Sequence, residues 1–200
     1  MKRVVIYSDG ACKGNPGPGG WAAVLRFNGA EKEISGGVPA TTNNRMELQG
    51  AVEALKILKE SCLVSFYTDS SYLRNGVTKW IAQWLDRDWM TRGSQTVKNQ
   101  DLWKELYFAA QRHRVTWFWT RGHSTNPDNN RCDRLARGEI AKINREFGDR
   151  ELAEKLSLFL RDNWRSQDNR SKPIDKVADI CIETSGLTEA NGCPPTDGAS

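Results

Sequence analysis

Two hundred residues carrying 29 Lys and Arg against 25 Asp and Glu amount to one ordinary globular domain with room for an appendage, which excludes a large multidomain assembly. Met1-Lys2-Arg3 runs into only four apolar residues, Val4 to Tyr7, and no stretch approaches ~20 apolar residues, so neither a signal peptide nor a membrane contact is expected. Five cysteines at positions 12, 62, 132, 181 and 193, with no CxxC pair, argue against a disulfide framework or a zinc site and for a reducing, cytoplasmic setting.

The net charge of +4 is unevenly placed. Residues 1–150 hold 23 basic and 16 acidic side chains, a surplus of seven, whereas residues 151–200 hold six and nine. A polyanionic partner therefore belongs to the first part. Ser166 to Lys172 and Thr184 to Ser200 are polar and poor in apolar groups. The expected organisation is a folded domain over 1–150 and an extension over 151–200, helical at 150–165 and then largely without packed structure.

In chain order, Val4 to Tyr7 is a β-rich run ending at Ser8-Asp9-Gly10, followed by a glycine-rich loop, GACKGNPGPGG. Trp21 to Phe27 and about Glu31 to Val38 are strands joined through Asn28-Gly29, a strong hairpin signal. From Thr42-Asn43-Asn44 a helix is predicted, with Ala51, Ala54 and Leu58 on one face, stopping near Ser61. Leu63 to Tyr67 is a strand ending at Thr68-Asp69, and Ser70-Ser71 caps a helix through Leu85. Asp101 to Ala110 is a further helix, Val115 to Thr120 a strand, and Asn129 or Asn130 caps a helix from Arg131 to about Phe147. The order βββαβααβα describes an α/β domain whose later strands are parallel.

Four acids occupy the ends of these elements. Asp9 and Asp69 follow apolar strands, Asp133 falls in the first turn of the last core helix, and Glu47 heads the apolar stripe of the first. At ~100° per residue Glu47 projects within about 40° of that stripe, so its carboxylate points inward, which is costly unless compensated. Singly, each Asp is explained by turn chemistry or by the helix dipole. Together, strand ends and helix starts meet at one edge of an open α/β sheet, where ligands bind. Crowded acids need a cation, and oxygen-only ligands suit Mg²⁺ or Mn²⁺. Two such ions serve phosphodiester cleavage.

Ser8-Asp9-Gly10-Ala11-Cys12 with Gly14-Asn15-Pro16-Gly17, Thr41 to Leu48 (TTNNRMEL), Tyr67-Thr68-Asp69-Ser70, Gly122-His123-Ser124 and Asn130-Arg131-Cys132-Asp133 together resemble ribonuclease H of type 1 over about residues 1–147. The resemblance implies a mixed five-stranded sheet flanked by helices on both faces. It implies cleavage of the RNA strand of an RNA–DNA hybrid by a monomer, with two Mg²⁺ held by Asp9, Glu47, Asp69 and Asp133 and with His123 assisting proton transfer or product departure. His113 lies outside the motifs and is given a structural or exposed place. Positions matching Gly10, Cys12, Asn15, Asn43, Asn44 and Ser71 approach the hybrid's minor groove, where the 2′-OH marks RNA. Thr42, Gln83, Trp84 and Asn99 match a phosphate pocket for the DNA strand, beside Trp80; Trp80 and Trp84, i and i+4 on one helix, are also explained as a packed aromatic pair.

Gly17 to Ala22 formally satisfies G-x-G-x-x-A, but a strand follows where a dinucleotide site needs a helix. The family's bacterial pattern has a lysine-rich protrusion after the tryptophan helix, whereas Leu85 to Arg92 carries two acids and two arginines. Gln83 stands where Asn is usual and Ser71 where Gln is common. These departures predict weaker hybrid affinity with a shallower salt dependence. A noncatalytic hybrid-binding module would have lost an acid, and none is lost; an integrase-like enzyme would cut DNA instead.

Overall fold

Three antiparallel strands open the chain, as the apolar pattern predicts. In the computed structural model, which describes residues 1–121 and 126–168, β1 (Lys2–Cys12) pairs antiparallel with β2 (Gly17–Phe27), and β2 pairs with β3 (Ala30–Thr41). Positive φ at Asn28 and Gly29 (47° and 78°) makes the tight hairpin turn between β2 and β3. The glycine-rich stretch is mostly strand: β1 runs on to Cys12 and β2 starts at Gly17, so the loop shrinks to residues 13–16. Glycines there are tolerated as strand because backbone pairing with β1 and β3 supplies the order that their side chains cannot.

β4 (Cys62–Thr68) pairs parallel with β1, and β5 (Arg114–Trp119) parallel with β4, giving the sheet order β3-β2-β1-β4-β5. One face carries Ile6, Ala23, Leu25 and Phe66 and is covered by α1 (Asn43–Lys56), whose Leu48, Val52 and Leu55 are fully buried; α4 (Gln100–Gln111) packs beside α1. The opposite face carries Ala22 and Val24 and receives α5 (Pro127–Glu146) through Cys132 and Ala136. The expected mixed sheet with helices on both faces is the observed fold.

Between β4 and α4 the helix expected through Leu85 is interrupted. α2 (Ser71–Asn75) continues through a π-helical turn, Gly76–Trp80, into α3 (Ile81–Leu85). Gly76 sits against the indole of Trp103, where a Cβ would fall 1.8 Å from Cη2. Trp84 lies 5.8 Å from Trp80, 6.2 Å from Trp89 and 5.4 Å from Trp103, ring centre to centre, so the tryptophans form the packed cluster that their spacing suggested.

Two helix boundaries differ from expectation. α1 ends at Lys56 rather than near Ser61. α5 begins at Pro127, because the Asn126 side chain accepts from the N–H groups of Asp128 and Asn129 and Pro127 needs no partner at the first helical position. Asp133 therefore lies in the second turn, not the first. α6 (Asp149–Asp168) continues slightly beyond the predicted helix and lies against β3. Among the described residues Cys12, Cys62 and Cys132 are free thiols, and no helix is long and apolar enough to cross a membrane.

Candidate active site

The parallel register pairs Tyr7 of β1 with Tyr67 of β4, so Asp9 and Asp69, two residues further along each strand direction, emerge side by side at one sheet edge. Glu47 reaches them from the first turns of α1. That approach depends on Gly10: a Cβ there would lie 2.4 Å from the backbone nitrogen of Glu47. Only glycine lets the end of β1 touch the helix. As a result one carboxylate oxygen from each of Asp9, Glu47 and Asp69 lies within 4.8 Å of the other two.

Asp9 is 7% exposed and accepts from the N–H of Gly10 at 2.7 Å. Burial and then the charge of Asp69 push its carboxyl up to about 7. Glu47, 6% exposed, is raised well above the usual range by burial and by Asp9 and Asp69. Its Oε1 accepts from Asn43 Nδ2 at 3.4 Å, and its Oε2 is buried with no protein donor. Asp69 Oδ2 accepts from Asn129 Nδ2 at 3.1 Å, while the Asp69 carbonyl accepts from the Trp119 indole at 3.3 Å. Asp133 lines the same cleft but stands outside the tight group, bonded to Arg137 Nε at 2.8 Å.

Three crowded oxygen ligands, an orphaned buried carboxylate oxygen and two raised acids fit a hard divalent cation, which would supply the missing positive charge. Neither sulfur nor imidazole joins the group among the described residues.

The cleft, about 620 Å³, is also lined by Gly10, Cys12, Asn43, Asn44 and Ser71. Asn15 is not among the lining residues, but its Oδ1 accepts from the backbone N–H of Asn43, which is, at 3.2 Å. Cys12 donates weakly to the carbonyls of Gly17 and Thr41, both at 3.5 Å. Thr42, Trp80, Gln83, Trp84 and Asn99 do not line this cleft. Thr42 occupies the N-cap of α1 without capping it, and its hydroxyl oxygen is buried and unpartnered. Asn99 is buried and donates to the Tyr72 hydroxyl at 3.1 Å, and Gln83 is exposed and donates to the Lys79 carbonyl at 3.1 Å.

His123 lies outside the described residues. His113 is structural: Nδ1 accepts from the Cys62 N–H and Nε2 faces the Leu55 carbonyl, both at 3.3 Å. Asn129 and Arg137 are site residues that the reading by motifs missed. Their signal was available, since Asn129, Asp133 and Arg137 recur at four-residue spacing and share one face of α5.

Known proteins agree with this geometry. The RNase H family's sequence profile matches residues 1–141. Ribonuclease H of Chelativorans sp. (strain BNC1) is 53% identical over 148 residues, 74% of this chain and 91% of its own length. Ribonuclease H of Moorella thermoacetica is 54% identical over 147 residues, 73% of this chain and 97% of its own. The crystal structure of LC9-RNase H1, described as a type 1 RNase H with the type 2 active-site motif, superposes with a TM-score of 0.65 at 31% identity, over 71% of this chain and 74% of that one. An acid cluster built at the junction of β1, α1 and β4, within a sequence that the family profile spans from its first residue, has one consistent identity: the chain belongs to the ribonuclease H family.

Proposed function

We propose that this ribonuclease H, which cleaves the RNA of RNA–DNA hybrids, does so at the Asp9–Glu47–Asp69 cluster with Asp133, using two Mg²⁺ or Mn²⁺ ions. The observation that carries the reading is the convergence of three carboxylate oxygens within 4.8 Å around a buried Glu47 oxygen with no protein partner. When bound, the ions supply charge that makes water a nucleophile at neutral pH and that offsets the charge developing on the leaving oxygen.

The chain's own groups do the rest. Asp9, Glu47 and Asp69 would hold the ions, with Asp133 adding a further carboxylate from α5. The water oxygen bonds to phosphorus, the P–O3′ bond breaks, and the fragments carry a 5′-phosphate and a 3′-hydroxyl. His123 moves a proton at the departing product. Gly10, Cys12, Asn15, Asn43, Asn44 and Ser71 present backbone and short polar groups to the minor groove, where the 2′-OH of the RNA strand is read. Thr42, Gln83, Trp84 and Asn99, beside Trp80, hold the DNA strand through its phosphate and sugars, which positions the duplex without reading sequence. The unpartnered Thr42 hydroxyl supports that role, since a phosphate oxygen would satisfy it.

A hybrid with end-labelled RNA, incubated with Mg²⁺, tests the reading. Internal RNA cleavage with 5′-phosphate and 3′-hydroxyl ends is expected, and Asp9→Asn is expected to abolish it. Cleavage that survives Asp9→Asn, or cutting of the DNA strand, rejects the assignment.

A further inference from the structure

We propose that Asn129 is a positioning residue that holds Asp69 in place for the divalent cation, an inference that rests on the metal reading above. Asn129 is 2% exposed and sits in the first turn of α5, where its backbone N–H donates to the capping oxygen of Asn126 at 3.2 Å. Its side chain reaches across to the end of β4 and donates Nδ2 to Asp69 Oδ2 at 3.1 Å. The orientation of the amide follows from its partner, because an ionised carboxylate only accepts.

The other end of the same amide is informative. Asn129 Oδ1 is buried and has no hydrogen-bond partner. An unpaired buried carbonyl is a loss for folding, and an apolar side chain of the same size would avoid it. Folding therefore does not account for an amide here, whereas the donor to Asp69 does.

Asp69 needs such a donor. It is the least buried of the three clustered acids, so the surrounding packing restrains its carboxylate least. Asn129 supplies the restraint at the carboxylate, as the Trp119 indole does at the backbone carbonyl. Asp133 follows four residues later on the same helical face, so α5 delivers one ligand and fixes another.

The test compares wild type, Asp9→Asn, Asn129→Leu and Asn129→Ser for Mg²⁺ binding by calorimetry, and for the Asp69 side-chain carboxyl signal by NMR as Mg²⁺ is added. Asn129→Leu keeps the volume while removing both the donor and the orphaned acceptor. It is expected to melt no lower than wild type without metal, yet to bind Mg²⁺ about tenfold more weakly. It should lower kcat while leaving the KM for hybrid unchanged. Asn129→Ser, smaller and still polar, serves if the leucine variant fails to fold, with the same loss expected. Mg²⁺ affinity within twofold of wild type in a folded Asn129 variant, or a lowered melting point as the sole change, overturns the proposal. Equal Mg²⁺ binding by wild type and Asp9→Asn overturns the metal reading itself, a result distinguishable from failure at Asn129.

Discussion

Burial and the neighbouring charge of Asp69 push the Asp9 carboxyl up to about 7, so the folded, metal-free protein holds a proton that the unfolded chain has released above about pH 4. The sign follows directly. A raised pKa contributes stability in full below the unfolded value and loses it as pH rises through about 7. At pH 8 the uncompensated acid cluster is a net cost to folding, on the order of 4 kcal/mol for Asp9, whose carboxyl is held at about 7 against about 4 in the unfolded chain. Asp9→Asn is therefore predicted to remove cleavage and to raise the melting point of the metal-free protein at pH 8, while Mg²⁺ raises it for wild type alone. Thermal melts at pH 5 and pH 8, with and without Mg²⁺, check this. A wild-type midpoint at pH 8 that is indifferent to both metal and substitution contradicts it. The grouping of Asp9, Glu47 and Asp69 was legible in the sequence because each stands at the end of an apolar run or stripe, whereas Asp133 was marked by its place near a helix start. Asn129 was signalled only by its four-residue spacing from Asp133, a weak sign because a capping role also accounts for it; its contact is with Asp69, 60 residues away.

Elements show where a local pattern suffices and where tertiary packing overrides it. The β2–β3 hairpin was legible since Asn28-Gly29 encodes its own turn. Ser70 was legible as a cap, and its side chain accepts from the N–H of Leu73 at 3.2 Å. The π-helical turn at Gly76–Trp80 was not, because apolar spacing there is compatible with an unbroken α-helix. Its cause is contact with α4: the fully buried Trp103 indole, whose N–H donates to the Tyr72 hydroxyl at 3.0 Å, fills the space beside Gly76. Gly76→Ala places a methyl group 1.8 Å from that ring, and neither a buried tryptophan nor a helix backbone moves aside at small cost. The substitution is predicted to cost about 3 kcal/mol and to shift the tryptophan emission as the Trp80–Trp84–Trp103 cluster rearranges. Urea denaturation followed by fluorescence measures both. A midpoint and spectrum equal to wild type would show that the turn accommodates a side chain and that its packing against α4 is not what sets it.

At the scale of the molecule, the site and the extension lie at different parts of the sheet. The acids gather where β1 and β4 lie side by side, whereas α6 lies against β3, separated from β1 by β2. Leu152, Leu156 and Phe159 of α6 are half-buried, and Lys155 lies 4.8 Å from the Phe147 ring centre. The Moorella relative aligns over 147 residues that make up 97% of its length, so a complete enzyme of this family is built in that span. Charge divides along the same line: the surplus of seven basic groups lies in residues 1–150, and the rest of the chain is acidic. We therefore predict that the chain ended after Gly148 cleaves hybrid with kcat within about threefold of the full chain. Its melting point falls by several degrees, since β3 loses the cover of α6. Its KM for hybrid is lower at ~0.05 M salt, where the acidic extension otherwise opposes a polyanion, and the two proteins converge above about 0.3 M as screening shortens the reach of that charge. Steady-state cleavage across a salt series decides it. Loss of activity by a truncated protein that remains folded would place residues 149–200 within the catalytic unit, and a KM difference that persists at high salt would assign the extension a direct contact with substrate rather than a field effect.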